Sequence, residues 1–220
     1  MSHLSEMNAE AVGYSASMEG MYRRVFKRWF DTALIVLAAP FVLPIVFLLG
    51  FLVRRDGGPA LYVQDRVGLD GRVFRLWKLR TMVEDADARL AAHLAADPAL
   101  RAEWDDTQKL KTDPRITAVG RVLRKTSLDE LPQLWNVLKG DMSLVGPRPM
   151  LPEQRPLYPG RAYYRLRPGL TGPWQVSDRN ASSFAGRAAF DADYARRMSL
   201  PTDVAIMALT LRVVVRGTGY

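Results

Sequence analysis

Cysteine is absent from this 220-residue chain, and histidine occurs only twice, at His3 and His93. The missing thiols exclude a disulfide, a cysteine nucleophile, and zinc or iron–sulfur centres with cysteine ligands. A serine–histidine–aspartate triad would have to use a histidine from the polar N-terminal segment or from an alanine-rich segment, and neither context favours it. We therefore expect any catalysis to use carboxylates, lysine or arginine, hydroxyls or a bound hard cation.

Glycine-rich nucleotide motifs are also missing. The sequence contains no G-x-x-x-x-G-K-[ST] loop and no G-x-G-x-x-G after a predicted strand, so a P-loop or dinucleotide-binding fold is unsupported. Positive charge is in excess, with 31 Lys and Arg against 23 Asp and Glu. Nucleic-acid binding is one interpretation of that excess. However, the arginines cluster near acids and beside an apolar run rather than along one stripe, so we expect no nucleic-acid partner.

Charge is absent from residues 32–53, an apolar run containing Pro40 and Pro44. A straight helix of that length would reach about 33 Å, enough to cross a bilayer core. The prolines remove backbone donors near its centre and predict a break there. Basic residues flank both ends, which favours keeping both on the cytoplasmic side. The sequence therefore favours a re-entrant helix hairpin, with a kinked single span as the alternative.

The remaining patterns predict an α+β fold that is mainly helical with a small β-hairpin. Strands are expected at 60–64 and 73–77 around an Asp70-Gly71 turn, and a helical pair over 83–111 broken at Pro98. A final helix over 199–216 is apolar on all faces, so it is buried or lies on a membrane. The expected organisation is a flexible tail (1–20), an amphipathic interfacial lead-in with the membrane helix (21–55), and a cytoplasmic catalytic domain (56–220).

Adjacent carboxylates at Asp129 and Glu130 follow a basic segment and precede Arg148. One interpretation is structural, because Ser127 and Glu130 form an S-x-x-E capping box, although Pro132 counts against it. The other is functional: a helix N-terminus among arginines can bind phosphate, and carboxylates there can hold Mg²⁺ or attack phosphorus. Neighbouring helical residues point about 100° apart, so the pair cannot flank a glycosidic bond.

A second basic cluster, Lys78 and Arg80, lies at a predicted strand end and is either a phosphate site or an ordinary solvated strand edge.

Taken together, the ordered motifs resemble the bacterial sugar transferases, the monotopic polyprenol-phosphate phosphoglycosyl transferases. The resemblance covers most of the chain after the tail. It is carried by KRWFD (27–31), GPALYVQDRVG (58–68), FRLWKLRTM (74–82), the segment from DPRITAVG to VGPRP (113–149), RPGLTGPWQVSDRN (167–180) and the end of the chain from SLPTDV (199–220).

This resemblance implies transfer of a sugar phosphate from a UDP-sugar to undecaprenyl phosphate with release of UMP, assisted by Mg²⁺. It implies that Asp129 is the nucleophile and forms a covalent phospho-sugar intermediate, while Glu130 binds Mg²⁺ or assists proton transfer. It also implies an enzyme on the cytoplasmic face of the bacterial inner membrane that starts exopolysaccharide or glycoconjugate synthesis. The implied nucleotide or phosphate ligands are Lys78, Arg80, Arg115, Arg148 and Arg179.

The sequence departs from the family pattern at two places. Leu43 precedes Pro44 where the family usually has serine, and Asp178 stands where glycine is usual. The chain is similar to the small catalytic-core members, with UDP-galactose or UDP-glucose as the favoured donor and a homodimer as a plausible assembly. Two rival functions stay open: a non-catalytic membrane-anchored scaffold for polysaccharide assembly, and hydrolysis of the UDP-sugar without a lipid acceptor.

Overall fold

The structure is a computed structural model that describes residues 20–107, 110, 113–177 and 184–215. The predicted tail, apart from Gly20, lies outside these residues, as do Asp178 and Arg179. The described part is mainly helical with two small sheets, which confirms the predicted fold class in its coarse form.

The apolar run forms helix α1, Lys27–Arg54, which continues from a π-helical turn at Tyr22–Phe26. Within the described ranges it is the one segment long and apolar enough to cross a membrane, judged by length and composition. Its central side chains face outward, and Phe41 and Phe47 are 75% and 78% exposed. Such large exposed apolar side chains need an apolar environment that the other described residues do not supply.

Helix α1 runs through Pro40 and Pro44 without the predicted interruption. Each proline removes one donor, which leaves the carbonyls of Val36 and Pro40 without their usual partners four residues later. The other helical hydrogen bonds can remain, so proline pairs of this kind bend a helix more readily than they end it. The structure therefore shows one continuous helix, and a re-entrant turn at these prolines stays a prediction.

Both ends of α1 pack against the rest of the protein. At its start, Lys27 pairs with buried Asp203 over 2.5 Å, and Ser143 donates a hydrogen bond to Asp31 over 2.6 Å. Arg28 donates to the carbonyls of Val137 and Leu138. At the other end, Val53 is buried in a cluster with Leu79 and Leu123. The most exposed apolar side chains of the helix, Phe41 and Phe47, lie between these two packed ends.

An antiparallel hairpin follows, with strands β1, Leu61–Val67, and β2, Val73–Leu79. Asp70 and Gly71 both have positive φ, 55° and 75°, which confirms the predicted turn. The register pairs Tyr62 with Lys78 and Arg66 with Phe74, so the even-numbered side chains share one face.

The remaining helices and strands complete the domain. The elements are α2 (Ala86–Ala96), α3 (Pro98–Thr107), α4 (Ala118–Thr126), α5 (Gln133–Lys139), β3 (Ser143–Val145), β4 (Gly169–Thr171), α6 (Pro173–Val176), α7 (Arg187–Arg197) and α8 (Leu200–Val215). The predicted helical pair around Pro98 is confirmed as α2 and α3, and Gly140 ends α5 with φ 87°.

Strands β3 and β4 pair in parallel and approach very closely. A Cβ atom added to Gly146 would lie 2.3 Å from the Arg167 carbonyl oxygen, so only glycine fits there. This pairing fixes the start of the Gly146-Pro147-Arg148 segment and so sets the position of Arg148.

Helix α8 is apolar on every face, as predicted, but its faces have different environments. Asp203 and Ile206 are buried against the domain, whereas Leu211 is 69% exposed. Its outward apolar face resembles that of α1 in being uncovered.

Candidate active site

The two candidate carboxylates lie in a 3₁₀ turn, Leu128–Glu130, between α4 and α5. Ser127 ends α4 with φ 56°, in the left-handed region, and its side chain makes no capping bond. The capping-box interpretation is therefore wrong. Ser127 terminates the preceding helix, and α5 begins only after Pro132. The carboxylate of Glu130 is thereby available for another partner.

That partner is Lys78, near the end of β2. Its Nζ donates to Glu130 Oε1 over 2.8 Å and lies 4.0 Å from Asp129 Oδ2. Lys78 therefore lies beside both carboxylates rather than on a solvated strand edge, and its predicted role as a phosphate ligand stays a prediction. One cation serves two adjacent acids, with the closer contact to Glu130.

The two carboxylates are in unlike electrostatic states. Burial raises the pKa of Asp129, and the charge of Glu130 raises it further against the effects of Lys78 and Arg124. Burial alone would raise the pKa of Glu130 too, but Lys78, Arg148 and Arg66 together lower it. Opposite shifts in adjacent acids are typical of a site in which they have different roles.

Asn136 of α5 holds the strand that carries Lys78. Its side chain accepts from the Trp77 amide over 3.1 Å and donates to the Arg75 carbonyl over 2.7 Å. Asn136 is completely buried. These bonds fix β2 against the helix that follows the carboxylates, so the separation of Lys78 from Glu130 is set by backbone contacts.

A cleft opens beside Glu130 and Lys78 with Arg148 on its wall, and the role of Arg148 as a phosphate ligand stays a prediction. The cleft lining carries three cationic side chains, Arg66, Lys78 and Arg148, and one acidic side chain, Glu130. Its lining consists of Arg66, Leu76, Lys78, Glu130, Gln133, Arg148, Pro149, Gly169, Leu170 and Gln175.

Arg66, Gln133 and Gln175 line this cleft but were not predicted from the sequence. A signal for Arg66 was present, because the hairpin register places it on the same strand face as Lys78. Gln133 and Gln175 are brought to the cleft by tertiary packing and carry no comparable local signal.

Two predicted phosphate ligands have other partners. Arg80 is buried and donates to the carbonyls of Val53, Gly57, Pro59 and Met82, so it joins the end of α1 to the hairpin. Arg115 forms a two-pronged pair with Asp113, with Nη2 and Oδ2 2.7 Å apart. Neither lines the cleft.

Arg179 lies outside the described residues, so its predicted role stays a prediction.

The candidate site offers carboxylate oxygens, the kind of ligand that Mg²⁺ prefers. No cluster of three acidic or histidine side chains suited to a metal occurs among the residues the structure describes. Magnesium commonly uses one or two carboxylates and completes its shell with substrate phosphate oxygens and water. Asp129 and Glu130 supply such a pair of oxygen donors at the edge of a cationic cleft, so the donor set fits this ion.

These features define a protein with an exposed apolar helix and a cationic cleft beside two adjacent carboxylates. Comparison with known proteins then gives the family. The family model for bacterial sugar transferases matches residues 22–217, and the chain belongs to that family.

Several similar proteins have been named by function. A UDP-galactose-lipid carrier transferase of Erwinia amylovora and an undecaprenyl-phosphate galactose phosphotransferase of Salmonella typhimurium are each 48% identical over 198 residues, 89% of this chain. The chain spans only 42% of the length of these two relatives. The exopolysaccharide production protein ExoY of Rhizobium meliloti is 42% identical over 96% of this chain and 92% of its own length.

Proposed function

We propose that the chain transfers a sugar phosphate from a UDP-sugar to undecaprenyl phosphate and releases UMP. The observation that carries this proposal is the cleft lined by Glu130, its partner Lys78 and Arg148, with the buried carboxylate of Asp129 4.0 Å from Lys78 Nζ. The names of the similar proteins support a polyprenyl-phosphate acceptor and favour galactose or glucose as the sugar. The scaffold alternative has no comparable support.

In the first step, a carboxylate oxygen of Asp129 attacks the phosphorus that carries the sugar. A bond forms between that oxygen and phosphorus, and the bond to the bridging oxygen of the diphosphate breaks. UMP leaves with the electron pair, and the sugar phosphate remains on Asp129 as an acyl phosphate. Burial suits this role, because a desolvated carboxylate is a stronger nucleophile than a solvated one once ionised.

In the second step, a phosphate oxygen of undecaprenyl phosphate attacks the same phosphorus. The bond to Asp129 breaks and the carboxylate is restored. Lys78 and Arg148 stabilise negative charge that develops on the phosphoryl oxygens in both steps. The low pKa of Glu130 keeps its carboxylate ionised beside them.

The carboxylates of Glu130 and Asp129 would hold Mg²⁺. The bound ion would offset the negative charge of the diphosphate.

The contacts at the two ends of α1 support a particular membrane arrangement. Asp31 contacts Ser143 at one end, and the Val53 carbonyl accepts from Arg80 at the other, so both ends touch the same domain. A straight helix crossing the bilayer would carry its far end about 30 Å away. We therefore propose a monotopic arrangement at the cytoplasmic face of the inner membrane, with the exposed middle of α1 entering one leaflet and bending at Pro40 and Pro44.

The reaction is tested by measuring UMP release from UDP-galactose and UDP-glucose. Release should require the UDP-sugar, Mg²⁺ and undecaprenyl phosphate together, and Asp129→Asn should abolish it, while Asp105→Asn on exposed α3 should retain it. Release of UDP, or full activity of Asp129→Asn, would contradict the mechanism. UMP release without the lipid would favour the hydrolase alternative.

The membrane arrangement has its own test, because the chain contains no cysteine. Single variants Ser5→Cys and Ala99→Cys in sealed vesicles should react with an impermeant maleimide from the same side. Labelling from opposite sides would refute the monotopic arrangement.

A further inference from the structure

Three arginines from separate parts of the chain lie close together near Trp174. The guanidinium carbons of Arg148 and Arg187 are 5.8 Å and 4.1 Å from the centre of the Trp174 ring. Arg66 lies on the cleft wall with Arg148. These three residues, called here the arginine cluster, come from β1, the segment after β3 and the start of α7.

The arginine cluster contains donors with no acceptor. Nε of Arg66 and Nε of Arg187 are both buried and find no hydrogen-bond partner among the described residues. The terminal nitrogens of Arg66 are occupied by the Pro149 carbonyl and the Gln64 side chain. A buried donor without a partner is costly, so an acceptor from a ligand is the expected occupant.

Glu130 and Asp191 exert an electrostatic influence on the cluster, but in the part of the chain that the structure describes they form no ion pair with it. No carboxylate there forms an ion pair with any of its three members. Nearby Glu130 is paired with Lys78, and Asp191 accepts the Tyr158 hydroxyl over 2.6 Å. Burial, with Arg148 and Arg66, lowers the pKa of Arg187 to about 10, so it remains charged at neutral pH.

We infer that the arginine cluster binds the phosphate of the departing nucleoside monophosphate, with Arg66 and Arg187 as binding residues beside Arg148. This inference rests on the proposed function. If Asp129 attacks the sugar-bound phosphorus, the leaving phosphate is one bridging oxygen away. Arg148 lies on the cleft wall with Glu130 and also beside Trp174, its guanidinium carbon 5.8 Å from the ring centre. Guanidinium groups bind phosphate oxygens in two-pronged geometry, and neutralising the leaving group assists its departure.

The acceptor lipid carries the same chemical group, a phosphate monoester, so the test must separate the two sources. The full chain in nanodiscs free of polyprenyl phosphate is titrated calorimetrically with UMP, with uridine and with a short-chain polyprenyl phosphate. Arg187→Gln should weaken UMP binding at least about ten-fold and leave uridine binding unchanged. Arg66→Gln should have the same pattern.

The matched control is Arg196→Gln, which lies on the same helix with its side chain 72% exposed. It should bind UMP like the parent protein. Arg187→Lys keeps a positive charge and should give an intermediate affinity, which protects the test if the glutamine variant does not fold.

Unchanged UMP affinity in folded Arg187→Gln and Arg66→Gln would overturn the inference. So would weaker binding of the polyprenyl phosphate with no effect on UMP, because the cluster would then serve the acceptor. These titrations involve no turnover, so they are independent of the mechanism at Asp129. If Asp129→Asn remains active and Arg187→Gln loses UMP affinity, the covalent mechanism is contradicted while phosphate binding by the arginine cluster is supported.

Discussion

Lys78 lies 2.8 Å from the carboxylate of Glu130 and 4.0 Å from that of Asp129, and this difference divides the two acids chemically. The nearer acid has its pKa lowered, while the more buried Asp129 has its pKa raised, with burial as the main cause. Lys78, with Arg148 and Arg66, thus keeps Glu130 ionised, while burial causes Asp129 to become protonated at a higher pH than usual.

Replacing Lys78 should change both the rate and its pH dependence. Lys78→Gln removes the charge that lowers the pKa of Asp129, so that pKa rises further. Because the nucleophile must be ionised, the acid limb of the variant's pH–rate profile should lie at a higher pH than that of the parent. We also expect kcat to fall by about 100-fold at pH 8, as is typical when a charge-stabilising group is removed. The measurement is a pH–rate profile of UMP release.

Arg75→Gln is the matched control, because Arg75 is exposed on the same strand and three residues away. Its profile should superimpose on that of the parent. A Lys78→Gln profile that kept the parental acid limb would contradict the assignment of Asp129 as the titrating nucleophile.

Arg80 should prove structural rather than substrate-binding. Its guanidinium donates to four backbone carbonyls around the end of α1. Arg80→Gln leaves these acceptors without donors and should lower the free energy of unfolding by about 3 kcal/mol or more. The KM for the UDP-sugar should be unchanged in the folded fraction. Thermal unfolding and steady-state kinetics of the same preparation check both statements, with exposed Arg72→Gln as control. A raised KM at parental stability would restore Arg80 as a phosphate ligand.

Buried Asp191 should make stability depend on pH in a particular direction. Burial raises its pKa from 3.8 to about 6 in the folded protein. The folded state then holds the Asp191 proton more tightly than the unfolded chain does. The contribution of this proton to the free energy of unfolding is therefore complete below pH 3.8 and is lost as pH rises through about 6. The total is on the order of 3 kcal/mol, from about 1.4 kcal/mol per tenfold change in proton affinity.

Asp191→Asn removes this titration and keeps an oxygen that can accept from Tyr158. The variant should gain thermal stability relative to the parent as pH is raised from 4 to 7. Asp193→Asn, on the same helix but 37% exposed, should show no such trend. A constant difference between Asp191→Asn and the parent over this range would show that Asp191 does not titrate there.

Gly146 should tolerate no side chain. The added Cβ in Gly146→Ala would meet the Arg167 carbonyl oxygen at 2.3 Å and the Gly169 nitrogen at 2.8 Å. We expect separation of β3 from β4, displacement of Arg148, and a loss of several kcal/mol of stability. Gly50→Ala provides the control, because its Cβ would make an ordinary 3.7 Å contact with Ala60. Circular dichroism melts of both variants provide the measurement.

The features that the sequence predicted correctly are those determined by nearby residues. The Asp70-Gly71 turn needs only two residues that accept positive φ, and Pro98 alone separates two short helices. Ser127 shows where a local pattern misleads, because the end of α4 imposed a left-handed conformation on the residue that the S-x-x-E pattern assigns to the next helix.

Long-range contacts account for most of the other differences. Arg80 and Arg187 have the same side chain but different environments. Arg80 donates to carbonyls from three chain segments, whereas Arg187 lies against the Trp174 ring. Neither environment can be read from neighbouring residues. The importance of Asp129 and Glu130 came from the resemblance of an ordered set of motifs, and the structure adds the lysine that distinguishes them.

The contacts of Lys27, Arg28 and Asp31 have a consequence for any attempt to prepare a water-soluble form of this protein. Removing residues 1–31 would leave Asp203 buried without its cation, and Ser143 and the end of α5 without their partners. An uncompensated buried charge is strongly destabilising. The first turn of the apolar helix therefore belongs to the domain's interior. Any N-terminal truncation that removes residues 32–53 also removes this turn, so only an internal deletion within that run would keep Lys27, Arg28 and Asp31 in place.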